Sequence, residues 1–174
     1  NGVVERDFVL GEIPGVLWSP ASGSGPAPLV LMGHGGGQHK KTPALRARAH
    51  DAVTRWGFTV VALDAPGHGD RPRSAADEQA RAGLRHAMAA GQAERVASIS
   101  SRYGAAVAER ALPEWQATLD ALQALPEIGV EAPIGYAGVT LGVVTGLMLT
   151  AVESRIAAVS FGGVFVSDAL IVAA

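Results

Sequence analysis

Pro28-Leu29-Val30-Leu31-Met32-Gly33-His34-Gly35-Gly36-Gly37 joins a continuous apolar run to a cluster of glycines. A short apolar run of this kind fits a strand covered on both faces of a parallel sheet. The residues that follow read as a helix. Thr42 can cap it, Pro43 suits its first turn, Gly57 can stop it, and Leu45, Ala49, Val53 and Trp56 fall on one face. Phe58 to Leu63 is then a second buried strand, which ends at Asp64-Ala65-Pro66-Gly67-His68-Gly69. Strand, helix and strand joined by short loops are the rhythm of an α/β sheet.

Upstream, Val4–Leu10 and Ile13–Trp18 read as two short strands joined at Gly11, followed by a Gly/Ser/Pro loop over 20–26. Downstream, the Ala-rich stretch from Ser74 to Ala111 reads as two or three helices, with breaks at Gly83, Gly91 and Gly104. It is expected to be an insertion over the sheet edge, at about 74–111, within a single domain. Pro113 opens a further helix that carries Trp115, Leu119 and Leu122 on one face and is ended by Pro126. Ala132–Ala137 is the next strand. Leu141 to Val152 is apolar nearly all round and reads as a buried helix, and Ile156–Phe161 is the last clear strand. The expected architecture is a three-layer α/β sandwich with a mostly parallel sheet, one domain over 1–174.

Composition narrows the function. The chain has 174 residues, 48% hydrophobic and 17% charged, and so is sized for one low-charge globular domain. A net charge of −2 and a pI near 6.2, with Lys40 and Lys41 the only lysines, argue against nucleic-acid binding. Without cysteine there is no disulfide framework or thiolate metal site, and the five histidines contain no His-Glu-x-x-His pair. Neither a metal nor a cofactor is expected. Lys40 is followed by Lys41-Thr42, which breaks a phosphate-binding P-loop, and Gln38 stands where a dinucleotide fingerprint needs its last glycine. No apolar run reaches the roughly 18 residues of a membrane span, so no membrane partner is expected. Asn1-Gly2-Val3-Val4-Glu5-Arg6 has no signal-peptide pattern, and a cytoplasmic location is expected, although a mature secreted form would read the same way.

Two glycine-rich turns carry the chemistry. In Gly33-His34-Gly35-Gly36-Gly37, backbone N–H groups can face a ligand oxygen with no side chain in the way. In Gly138-Val139-Thr140-Leu141-Gly142, between a strand and a buried helix, the pattern is Gly-x-Ser-x-Gly with Thr in place of Ser. Such a pattern places its central residue on a sharp strand-to-helix turn, and the helix N-terminus behind it favours developing negative charge. Read alone, Thr140 is a helix cap, and Asp64 and His68 read as loop structure.

Strand then His-Gly-Gly-Gly, strand then Asp-x-Pro-Gly-His-Gly, and strand then Gly-x-Thr-x-Gly occur in that order. Together they resemble the α/β-hydrolase superfamily, in particular its dienelactone-hydrolase-like and peptidase-like esterase branches, from about Pro28 to the end. The resemblance implies that Thr140 is the nucleophile and that the N–H groups of Leu141 and Gly36 form the oxyanion hole. It implies that His34, Gly35 and Gly37 shape the loop, His34 not being the base. The implied activity is hydrolysis of a small-molecule carboxylic ester or related acyl compound through a covalent acyl-enzyme.

Two departures follow. A β-branched residue resists the positive φ of a nucleophile elbow, and its γ-methyl crowds the attacking oxygen. The superfamily's chain order is nucleophile, acid, histidine, yet no histidine follows His86, and Asp168, the candidate acid, reads first as a helix cap. The chain therefore reads as the first two-thirds of a hydrolase, its C-terminal part missing. The alternative is a non-catalytic protein of the same fold that binds a ligand or partner. The strand at 156–161 has no blunting charge or proline, so a missing segment or a second copy in a homodimer is expected to pair along it.

Overall fold

The computed structural model describes residues 2–22 and 27–163. In chain order the elements are β1 (Val3–Leu10), β2 (Ile13–Pro20), β3 (Leu29–Gly33), α1 (Pro43–Trp56), β4 (Thr59–Leu63), α2 (Ala75–Ala89), α3 (Ala93–Gln123), β5 (Ile134–Val139), α4 (Leu141–Val152) and β6 (Ile156–Gly162). The strands form one six-stranded sheet in the order β1-β2-β4-β3-β5-β6. β2 is antiparallel to both β1 and β4, whereas β4/β3, β3/β5 and β5/β6 are parallel.

Alternation along the central strands divides the core between the two faces. Val60 and Ala62 join Val16, Trp18 and Met32 in packing against Leu45, Ala49, Ala52 and Val53 of α1. Val61 and Leu63 join Leu17, Leu31 and Tyr136 in packing against Ala111, Trp115 and Leu119 of α3 and Leu149 of α4. Three layers result, and the α/β class and mostly parallel sheet are as expected. No helix among the described residues is long and apolar enough to cross a membrane.

Several local expectations change. Thr42 occupies the N-cap position of α1, but its side chain makes no capping bond, and Gly57 closes the helix at φ +68°. Trp56 is 62% exposed and leans on Phe58 outside the core. In the Ala-rich stretch only Gly91, at φ +65°, separates two helices. Gly83 and Gly104 lie inside α2 and α3, each facing a neighbouring helix: a Cβ at Gly83 would stand a tight 3.3 Å from Ile99, and one at Gly104 an ordinary 3.8 Å from Val144.

Pro113 does not open a helix but lies inside the 31-residue α3. The buried stripe of Val107, Ala108, Ala111, Trp115, Leu119 and Leu122 runs straight across it, and that burial outweighs the one backbone bond the proline removes. α4 is not buried all round, since Leu147 and Val152 are more than half exposed. Next to β5, β6 pairs only with that strand among the described residues. Asp168 lies outside those residues.

Candidate active site

β3 and β5 lie side by side and parallel, with Gly33 opposite Gly138 in the register. The loop after β3 and the turn after β5 therefore emerge together at one end of the sheet. Missing side chains let them close. A Cβ at Gly142 would strike the backbone of Gly33, and one at Gly33 would strike the Tyr136 hydroxyl. The start of α4 is thus seated on the end of β3. The Gly142 N–H donates to the His34 carbonyl at 3.0 Å, and the Tyr136 hydroxyl donates to the Gly142 carbonyl at 2.7 Å.

Thr140 stands between β5 and α4 with φ +46° and ψ −104°, and is the one non-glycine residue of positive φ among those described. Its N–H donates to the Gly162 carbonyl at 3.2 Å, which ties the turn to the end of β6. Its side chain caps nothing. Instead the Thr140 Oγ1 accepts the Gly36 N–H at 3.3 Å. Leu141 is the first residue of α4, where a helix has no carbonyl for an N–H to reach. A hydroxyl and a loop amide thus meet beside the N-terminus of α4, where the helix is electrostatically positive.

Buried polar groups hold the loop. His34 is 2% exposed; its Nδ1–H donates to the Gly35 carbonyl at 2.8 Å and its Nε2 accepts the Ala65 N–H at 3.0 Å. Both ring nitrogens are engaged by backbone, and burial pushes its pKa down to about 4. His34 is neutral and joins the β3 and β4 loops. The Asp64 carboxylate is fully buried and accepts from the backbone N–H groups of Lys40 and Asp70, at 2.8 and 3.1 Å, and from the Lys40 Nζ at 2.6 Å. The Lys40 Nζ also reaches Asp70 at 2.6 Å. His68 is buried beside His34, its Nδ1–H donating to the Pro66 carbonyl. Asp64 and His68 thus take the loop roles the sequence suggested.

The structure gathers Thr140, Leu141, His34, Gly35 and Gly36 at one place, while Gly37, at φ +74°, makes the turn of the loop. Sequence reasoning missed Tyr136 and Gln38. Tyr136 could have been found as an inward-facing position of β5; Gln38 carried no signal, because its role depends on a loop conformation.

This strand order, with the β5–α4 turn meeting the glycine loop after β3, is that of the α/β-hydrolase fold. Solved structures are similar to the chain. A cold-adapted esterase from an Arctic intertidal metagenomic library shares 31% identity at a TM-score of 0.66, over 92% of this chain and 61% of that one. A dienelactone hydrolase-like promiscuous phosphotriesterase from metagenomic libraries shares 22% at a TM-score of 0.58, over 94% of this chain and 60% of its own. Est1E from Butyrivibrio proteoclasticus, with ferulic acid bound, shares 16% at a TM-score of 0.60, over 88% and 50%. The chain thus spans about 60% of the length of the first two. No protein-family model and no curated protein matches it. The chain belongs to the α/β-hydrolase superfamily.

Proposed function

We propose that this fold serves ester hydrolysis through a covalent acyl-enzyme, with Thr140 as the nucleophile. The observation that carries the reading is the positive φ of Thr140 together with the Gly36 N–H on its hydroxyl. The Thr140 Oγ bonds to the ester carbonyl carbon while the carbonyl electron pair moves onto its oxygen. The hydroxyl proton passes to a general base. The new oxyanion accepts from the Leu141 and Gly36 N–H groups, and a donor in this role contributes about 2.7–4 kcal/mol to the transition state. Collapse expels the alcohol, which takes the proton, and water then cleaves the acyl-threonine.

His34 cannot be the base, since both its nitrogens are occupied. No histidine follows His86, and the superfamily's chain order places the base histidine after the nucleophile, so this reading assigns no base among the described residues. The same observation favours a second reading, a non-catalytic ligand-binding protein.

An active-site-directed phosphonate, with the modified residue located by mass spectrometry, separates the two. The esterase reading expects a label on Thr140, faster labelling for Thr140→Ser and none for Thr140→Ala. An unlabelled protein, or labelling indifferent to residue 140, supports the second reading.

A further inference from the structure

We propose that Gln38 is a positioning residue of this site, holding the Gly35–Gly36 peptide so that the Gly36 N–H points at Thr140; the inference rests on the acyl-transfer reading above. Three consecutive glycines leave the loop many conformations, and only a few aim the Gly36 amide at the Thr140 hydroxyl. The Gln38 N–H donates to the Gly35 carbonyl at 3.1 Å, closing a four-residue turn with Gly37 at φ +74° in its third position. That bond shapes the turn, and the His34 Nδ1–H holds the same carbonyl at 2.8 Å. The Gln38 side chain adds a hold on the other end of the residue: the Gly35 N–H donates to the Gln38 Oε1 at 3.1 Å. Gly35 is therefore held at its carbonyl by His34 and the Gln38 backbone, and at its N–H by the Gln38 carboxamide.

The carboxamide also belongs to the site by position. A Cβ at Gly35 would stand 2.7 Å from the Thr140 Oγ1 and 3.1 Å from the Gln38 Oε1, so both oxygens face the same side of Gly35. Gln38 is exposed, and packing therefore does not explain its conformation; the Gly35 N–H does. A neutral amide suits the place. A glutamate oxygen would accept the same N–H but would set a full negative charge beside the developing oxyanion.

The test uses the catalytically competent protein and an activated ester, with Gln38→Ala and Gln38→Glu beside the wild type. Melting temperatures should agree closely, because residue 38 is exposed. Gln38→Ala is expected to lower kcat about 10-fold with KM within about twofold, the pattern of a lost transition-state interaction. Gln38→Glu is expected to keep more of the rate at acid pH, where its carboxyl is protonated, and to lose it as pH rises through the carboxylate range, a limb the wild type lacks. Wild-type kcat in Gln38→Ala, or a Gln38→Glu profile parallel to wild type, overturns the proposal. If Thr140→Ala hydrolyses the ester as fast as wild type, the acyl-transfer reading fails, and Gln38 is then judged by NMR. The Gly36 amide resonance should move in Gln38→Ala in the same direction as in Thr140→Ala, and a Gly36 amide unmoved in Gln38→Ala overturns the positioning role.

Discussion

The Tyr136 hydroxyl donates to the Gly142 carbonyl at 2.7 Å and stands where a side chain on Gly33 would go. One phenol on β5 therefore sets both the seat of α4 and the closeness of β3. Burial and this bond keep it protonated, its pKa pushed far above the working range by desolvation. Tyr136→Phe removes a buried hydrogen bond to a carbonyl inside α4 and should cost about 0.5–1.5 kcal/mol in urea unfolding. Gly33→Ala, which must displace the ring, should cost more than that.

Thr140 holds a backbone conformation that β-branched residues avoid. Such strain costs on the order of 1–3 kcal/mol, of which the added flexibility of glycine returns part. Thr140→Gly should stabilise the fold by about 1 kcal/mol while abolishing labelling by a phosphonate. Chemical denaturation and mass spectrometry on the same sample check both halves.

His34 is buried neutral, with a pKa near 4 against an ordinary 6.5. Below pH 6.5 the unfolded chain takes up a proton that the folded chain refuses until pH 4. Stability should therefore fall as pH drops from 6.5 to 4, by on the order of 3 kcal/mol, and be flat above that window as far as this group is concerned. His68, also lowered chiefly by burial, acts in the same direction. Urea melts across pH should show the slope, and His34→Gln should reduce it.

Pro113 is exposed in the middle of α3 and removes a helical hydrogen bond. A proline in a helix interior costs about 3 kcal/mol relative to alanine. Pro113→Ala should raise stability by about 1–3 kcal/mol, measured by thermal or urea unfolding, with activity unchanged.

Val159 on β6 is half exposed, and among the described residues β6 pairs only with β5 and carries no charge from Ala157 to Gly163. Edges of this kind recruit further strands. The 174-residue chain should associate with rising concentration in light scattering, and Val159→Lys should shift it towards monomer.

The alternating and continuous apolar runs determined the strands, since burial on one or two faces leaves a local signature; Leu29–Gly33 and Thr59–Leu63 were legible for that reason, and the longer apolar run Leu141–Val152 was legible as a helix. The order of the glycine turns along the chain identified the superfamily. Where contacts between distant segments compete with local preference, only the tertiary structure decided. Pro113 and Gly104 mark helix breaks by propensity, yet α3 passes through both, because burial of its stripe outweighs them. Trp56 falls on the apolar face of its helix and still lies outside the core. The meeting of Gly36 with Thr140 depends on β3 and β5 pairing in register across more than a hundred residues. The grip of Gln38 on Gly35 depends on loop dihedrals, and a run of glycines leaves those open.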